Sequence, residues 1–320
     1  LEAGLLRHCG PRLEEDPLRL LRGMQLAARF DLRGAPETLD VCRTLSLEGI
    51  APERIFEEWR KLLVLGRTPS LGLDFLEAGG GLRFFPELEA LVGCAQDPEF
   101  HPEGDVWVHT LFALDAFAKA RTGDPREDLV VGLAVLAHDF GKPATSAPRK
   151  GDATGTRVRS PGHARESVAL VRRFLERMTR EHKLIDEVTV LVDNHLAPAQ
   201  LHRDGAGDAA IRRLARKVER IDRLVRVSLA DHGGRPPLEL DAEAAGGWLL
   251  ERARALAVQD SAPEAIVHGR DLLATDLGLR EGPELGRLVG RLYEAQLDGE
   301  IQTLEEGLAL ARRILGSNKP

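Results

Sequence analysis

Val135-Leu136-Ala137-His138-Asp139-Phe140-Gly141-Lys142 is the stretch on which the reading of this chain turns. It reads as an apolar helix that ends in an adjacent His-Asp pair, with Gly141 as the stop and Lys142 directly after it. An imidazole beside a carboxylate at a helix end holds a divalent metal ion when other helices bring the remaining ligands. Suitable partners flank the pair. His109 precedes it on an amphipathic segment of its own, Asp231 follows far downstream, and His163 and His195 lie between. His182, His202, His232 and His268 are read as structural. His232 adjoins Asp231, but a helix turns by about 100° per residue, so its side chain points elsewhere.

Composition narrows the classes. At 320 residues, 43% hydrophobic and 30% charged, the chain has room for two or three domains with ordinary cores. A net charge of −7 argues against a general cationic coat for nucleic acid, so RNA contacts must come from local arginine clusters. Cys9, Cys42 and Cys94 are too far apart to suggest a disulfide framework or a thiolate zinc site, and read as reduced intracellular thiols. No signal peptide and no apolar run of about 18 residues is present, so no membrane partner and a cytoplasmic location are expected. The first residue is Leu1, which hints at a longer parent.

A second signal is Leu13-Glu14-Glu15-Asp16-Pro17-Leu18-Arg19-Leu20-Leu21-Arg22. Asp16 suits a helix cap and Pro17 the first turn. Arg19 and Arg22, three apart, then point to a similar side, while Leu18, Leu21 and Leu26 form the apolar stripe. By pattern alone this is a capped surface helix with solvated arginines. Residues 51–63 read as an amphipathic helix with a core stripe of Ile55, Trp59, Leu62 and Leu63. Gly79-Gly80-Gly81 reads as a turn, and His101 as structural or capping.

Helices are expected over 106–121, 127–139, 163 to about 178, 183–196 and 208–232. The last begins with Arg212, Arg213, Arg216 and Lys217 and ends at Asp231. Between them, residues 143–162 form a mobile loop with Arg149, Lys150, Arg157 and Arg159, either bordering a phosphate-bearing substrate or simply solvated. Gly233-Gly234-Arg235-Pro236-Pro237 breaks the pattern before a helical tail. Strand-like alternation is scarce, so the fold class is all-α.

The order His109, His138-Asp139, Asp231 resembles the HD superfamily of metal-dependent phosphohydrolases, and His163 and His195 resemble the extra ligands of its two-metal members. Glu15-Asp16-Pro17-Leu18-Arg19 resembles the EDxxR motif of class II tRNA nucleotidyltransferases and bacterial poly(A) polymerases. That resemblance implies that Asp16 and Arg19 read the base edge of an incoming CTP or ATP and that Arg22 also contacts the nucleotide. A carboxylate accepts from an exocyclic amine and a guanidinium donates to ring nitrogen or carbonyl. Gln25 stands where some members carry another Arg, and the resemblance makes Arg54 part of a buried scaffold.

The likeness extends over nearly the whole chain and implies three parts. Residues 1–92 correspond to a helical neck and body, 93–235 to an HD bundle, and 236–320 to a helical tail. The family's catalytic head, with its Gly-Ser motif and Asp-x-Asp pair, has no counterpart before Glu15, so nucleotide addition is expected only when a head is supplied.

The expected ligands are His109, His138, Asp139, His163, His195 and Asp231, with Lys142, His163 and His195 in catalytic roles. The ion is expected to be Mg, Mn or Ni, although Fe and Zn suit the same ligand types. Three functions follow. The first is an HD phosphohydrolase of 2′,3′-cyclic phosphodiesterase or phosphatase type acting on RNA ends or nucleotides. The second is a headless portion of a CCA-adding enzyme acting on the tRNA 3′ end. The third is a non-catalytic RNA-binding scaffold.

Overall fold

A computed structural model describes residues 4–10, 15–149, 157–237 and 242–316. Leu13, Glu14 and Lys150 lie outside the described residues. The chain is all-α. Its helices are, in order, α1 (Arg19–Phe30), α2 (Pro36–Thr44), α3 (Pro52–Leu65), α4 (Pro69–Ala78), α5 (Pro86–Glu89), α6 (Val106–Lys119), α7 (Pro125–Ala137), α8 (Lys142–Thr145) and α9 (His163–Glu176). There follow α10 (His182–Asn194), α11 (Ala197–Arg203), α12 (Asp208–Val218), α13 (Ile221–Gly233), α14 (Ala242–Ala255), α15 (Gly269–Leu273), α16 (Pro283–Asp298) and α17 (Leu304–Gly316). Among the described residues two short ladders supplement them. Leu5–Leu6 pairs in parallel with Arg33–Gly34, and Ala147–Pro148 pairs antiparallel with Val158–Arg159. None of these helices is long and apolar enough to cross a membrane.

The chain forms two compact units: residues 1–200 with 223–247, and 201–222 with 248–320. In the first, α7 is the central helix. Every residue from Leu129 to Ala137 is buried, as expected of a helix without a polar face. It packs against α3, α6 and α10. Each of its Val and Leu side chains contributes about 1.5–3 kcal/mol on burial.

Its start is held by charge. Asp124 caps it by accepting from the Arg126 and Glu127 amides. Glu127 takes a bidentate bond from Arg223 of α13, and buried Asp128 pairs with Arg226 of the same helix. Its end is anchored by Phe140, which joins Trp59, Phe85 and Phe174 in an edge-to-face aromatic cluster. The second unit has its own core of Val267, Leu272, Leu285, Leu288, Leu292 and Ile301.

Four expectations are corrected. The segment 208–232 is two helices, because Glu219 takes a left-handed conformation (φ 59°) that ends α12. The basic side chains of α12 are therefore not on the helix that carries Asp231. α7 stops at Ala137, so His138 and Asp139 stand in the turn beyond it. Residues 143–162 are not simply a loop: they include the end of α8 and the arms of a hairpin, and Arg157 pairs with Asp97 at 2.6 Å. Arg54 is exposed rather than buried, because Pro52–Leu65 turns that face outward.

Candidate metal centre

Six side chains predicted from sequence come together in the first unit, each positioned by a helix end. Asp105 caps α6 through the Val108 amide at 2.9 Å, and His109 follows one turn later, fully buried. His138 is the residue after α7 and His195 the residue after α10. His163 opens α9, and Asp231 lies in the last turn of α13.

Main-chain carbonyls orient three of the histidines. His138 Nδ1 donates to Val135 O at 2.7 Å, His195 Nδ1 to Val192 O at 2.7 Å, and His163 Nδ1 to Ser160 O at 2.8 Å. His109 Nδ1 donates instead to Glu103 Oε1 at 2.8 Å, with Gly234 O at 3.1 Å. A proton held on Nδ1 leaves the Nε2 lone pair free, the tautomer that a metal ligand needs. For His138 and His195 the accepting carbonyls lie in the last turn of a helix, whose dipole also favours a cation.

The four Nε2 atoms meet two carboxylates. Asp231 Oδ1 lies 3.1 Å from His109 Nε2 and 3.8 Å from His138 Nε2. Asp139 Oδ2 lies 3.2 Å from His138 Nε2 and 3.9 Å from His109 Nε2. Its other oxygen, Oδ1, is 3.3 Å from His163 Nε2, which lies 3.3 Å from His195 Nε2. Ligand atoms sharing one ion at bonds of about 2.1 Å stand about 3.0 Å apart when adjacent at right angles. The clusters are thus of ligand size, and Asp139 faces both.

Two observations test the fit. His109 Nε2, His138 Nε2 and both Asp139 carboxylate oxygens are buried and make no hydrogen bond among the described residues, Oδ2 meeting only the Lys142 ammonium as an ion pair. Such orphaned atoms are costly in a protein interior unless something else satisfies them. The donor set of imidazole and carboxylate also suits a divalent ion.

The electrostatics agree. Burial pushes His195 down to about 3, keeping it neutral. Burial also opposes ionisation of Asp139, but His138 and Lys142 outweigh it and hold the carboxyl well below the usual range. Burial likewise opposes the charge on His109, yet Asp231 and Glu103 overcome it and raise its pKa. A field that stabilises an imidazolium at this point would stabilise a cation among the same groups.

Lys142 places Nζ 2.7 Å from Asp139 Oδ2 and donates to Gln96 Oε1 at 2.6 Å. It lines a cavity of about 250 Å³ with His101, Asp139, His163, His195 and Arg235. The turn that carries the dyad is tied to α9 by Ser167. Its Oγ accepts from the Gly141 amide at 2.8 Å and shares its proton between His138 O and His163 O.

Sequence reading missed Glu103 and Arg235. Glu103 accepts from both His101 and His109, and their bonds bring it to about 2 against the effect of burial. The nearby His101-Pro102-Glu103 spelling was its only local signal. His101, read as structural, shares this carboxylate and lines the cavity.

The nucleotide-motif residues lie elsewhere. Asp16 accepts from the Leu18 amide at 3.3 Å and pairs with Arg22 at 3.3 Å and Arg54 at 3.2 Å. Arg19 and Arg22 line a separate cavity of about 220 Å³ with Arg7 and His8. Gln25 is buried and accepts from Arg29. The other histidines stay outside the cluster: His232 donates to Ser228 O at 2.7 Å and His202 packs on Trp248.

The HD domain model matches residues 107–227. A multifunctional CCA protein from Stenotrophomonas maltophilia is 34% identical over 305 residues, covering 91% of this chain and 69% of that one. The chain belongs to the multifunctional CCA protein family, a tRNA nucleotidyltransferase family. The relative from Halorhodospira halophila is likewise 34% identical, over 90% of this chain and 67% of its own. A third, from Alkalilimnicola ehrlichii, is 37% identical over 210 residues, covering 63% of this chain and 47% of its own. Among solved structures, the Thermotoga maritima CCA-adding enzyme complexed with tRNA has the same fold at TM-score 0.50 and 15% identity, over 98% of this chain and 65% of that one. A CCA-adding enzyme in its apo form II matches at TM-score 0.50 and 16% identity, over 99% of this chain and 62% of its own.

Proposed function

We propose that this chain is the helical portion of a CCA-adding tRNA nucleotidyltransferase, and that its HD centre hydrolyses phosphate esters at RNA 3′ ends. The names of its relatives support the first half. The observation that carries the second half is the buried, hydrogen-bond-free set of His109 Nε2, His138 Nε2 and the Asp139 oxygens beside an open cavity.

His109, His138, Asp139 and Asp231 would hold one divalent ion, and Asp139 with His163 and His195 a second. Such an ion supplies Lewis-acid polarisation of a phosphoryl oxygen and a lowered pKa for water. The protein's own part is position and charge. The Nδ1 bonds keep each imidazole aimed inward, and Lys142 offsets charge on a bound phosphoryl group. His163 and His195 stand where the cavity meets the cluster, within reach of a scissile ester.

The chain would act in the cytoplasm on RNA, with the tRNA 3′ end as the natural choice. In this reading residues 1–92 serve as neck and body, 93–235 as the HD part and 236–320 as tail. The test is elemental analysis beside a phosphate-ester panel with Mg, Mn and Ni added separately. Bound metal and metal-dependent hydrolysis of 2′,3′-cyclic nucleotides are expected. A metal-loaded chain inert toward every ester would leave the scaffold role.

One observation favours a nucleotide-reading role for the first unit: Arg19 and Arg22 border one cavity while Asp16 pairs with Arg22. Nucleotide addition itself requires carboxylate-bound Mg ions in a catalytic head. In a head-containing parent, Arg19→Ala should relax the choice between CTP and ATP about tenfold or more while tRNA affinity changes little. A bidentate guanidinium–base contact is worth about 1–3 kcal/mol. Unchanged discrimination would return the helix to a solvated surface.

A further inference from the structure

Arg235 entered the sequence reading only as part of a break. α13 ends at Gly233, and the next two residues lie against His109 and Asp231. Gly234 permits this. A Cβ there would stand 2.9 Å from His109 Cε1 and 3.0 Å from Ala113 Cβ. Its carbonyl faces His109 Nδ1, and the following side chain reaches Asp231, where Arg235 Nη2 donates to Oδ1 at 2.6 Å.

The guanidinium is only partly used. Nε is buried and makes no hydrogen bond among the described residues, and the side chain lines the cavity that also exposes Lys142. Each carboxylate of the cluster therefore carries one cation: Lys142 on Asp139 and Arg235 on Asp231.

We propose that Arg235, together with Lys142, forms an anion subsite that grips the phosphoryl group of the ester at the HD centre. The inference rests on the phosphohydrolase reading and names the residue that recognises its substrate. Neutralising Asp231 alone needs only a point charge, which a lysine would provide. A guanidinium adds a planar edge, Nε and Nη2, spaced to donate to two oxygens of one phosphate. Here one of those two donors has no protein acceptor. The local charge points the same way. Asp139, Asp231 and Glu103 carry three negative charges against the two positive charges of Lys142 and Arg235. Divalent ions held by Asp139 and Asp231 would leave both side-chain cations to a dianion.

The probe is inorganic phosphate. Its affinity for the Mn²⁺-loaded protein is measured by titration calorimetry, with metal content determined on the same samples. Arg235→Lys keeps the charge and loses the fork; Arg235→Gln loses both. Phosphate binding should weaken roughly tenfold in Arg235→Lys and roughly a hundredfold in Arg235→Gln, as loss of bidentate and then charged contact implies, with metal content and helicity as in the parent. Parent-like affinity in both variants overturns the proposal. So does a loss that merely tracks lost metal, which would make Arg235 a positioning residue for Asp231. If the parent hydrolyses esters yet the variants bind phosphate as it does, this inference falls alone. If the parent binds neither metal nor phosphate, the phosphohydrolase reading falls with it.

Discussion

Asp139→Ala should remove most of the bound metal and lower hydrolysis of 2′,3′-cyclic nucleotides by about 10³-fold or more. Electrostatic stabilisation by a metal ion is worth several kcal/mol, and each 1.36 kcal/mol is tenfold in rate. The large effect follows from the position of the carboxylate. Its two oxygens face different groups, Oδ2 toward His138 and His109 and Oδ1 toward His163, so one truncation depletes both clusters. His163→Ala, by contrast, touches one cluster and should reduce activity more than total metal.

Asp139→Ala should also destabilise the fold. Lys142 is nearly buried, and breaking a buried ion pair costs about 3–5 kcal/mol because it strands the other charge. Gln96 still accepts from Lys142 at 2.6 Å, so the lower end of that range applies. Elemental analysis, phosphate release and thermal melting read the three effects, with helicity preserved. Full metal content together with full activity would place the centre elsewhere.

Gly141→Ala should lower stability by about 3 kcal/mol and loosen the second cluster. A φ of −80° at Gly141 is open to any residue, and Ala at such a position stabilises by about 0.4–1 kcal/mol by restricting the unfolded chain. Local physics therefore predicts a gain. Packing reverses the sign. An added Cβ would lie 2.3 Å from His163 O and 2.8 Å from the Ser167 amide nitrogen. Both are backbone atoms of α9, so no side chain can rotate away and the helix itself must shift. Overpacking of this kind costs about 1–3 kcal/mol, with backbone clashes at the upper end.

The shift would carry His163 away from Asp139 and break the Ser167 bonds that join the dyad turn to α9. A melting temperature lower by about 6–12 °C is expected for a unit of this size, with reduced metal content. An unchanged or higher melting temperature would mean that the close approach is absent in solution.

These expectations rest partly on sequence and partly on tertiary structure. The unbroken apolar run before His138 required a buried helix, and the scarcity of period-two alternation required an all-α chain; both are properties of neighbours along the chain. Local pattern marked the helix ends, but the choice of His109, His138, Asp139, His163, His195 and Asp231 among the chain's histidines and acids came from the order of residues that resembles the HD superfamily.

What the sequence could not determine depends on atoms far apart in it. The bridging position of Asp139 arises only when α9 approaches the turn after α7. Glu103 gains its role because its carboxylate meets two imidazoles across a bend. Arg235 looked like part of a helix stop until the chain folded back to Asp231. Gly141 suited the end of a helix, yet what requires glycine is contact with the backbone of α9. The break at Glu219 lies in a positive-φ backbone turn that no Gly or Asn marks in the sequence, and Arg54 stands on the exposed face of its helix. Helical periodicity is set over a few residues, whereas ligand geometry, charge pairing and close approach are set by which helix ends converge.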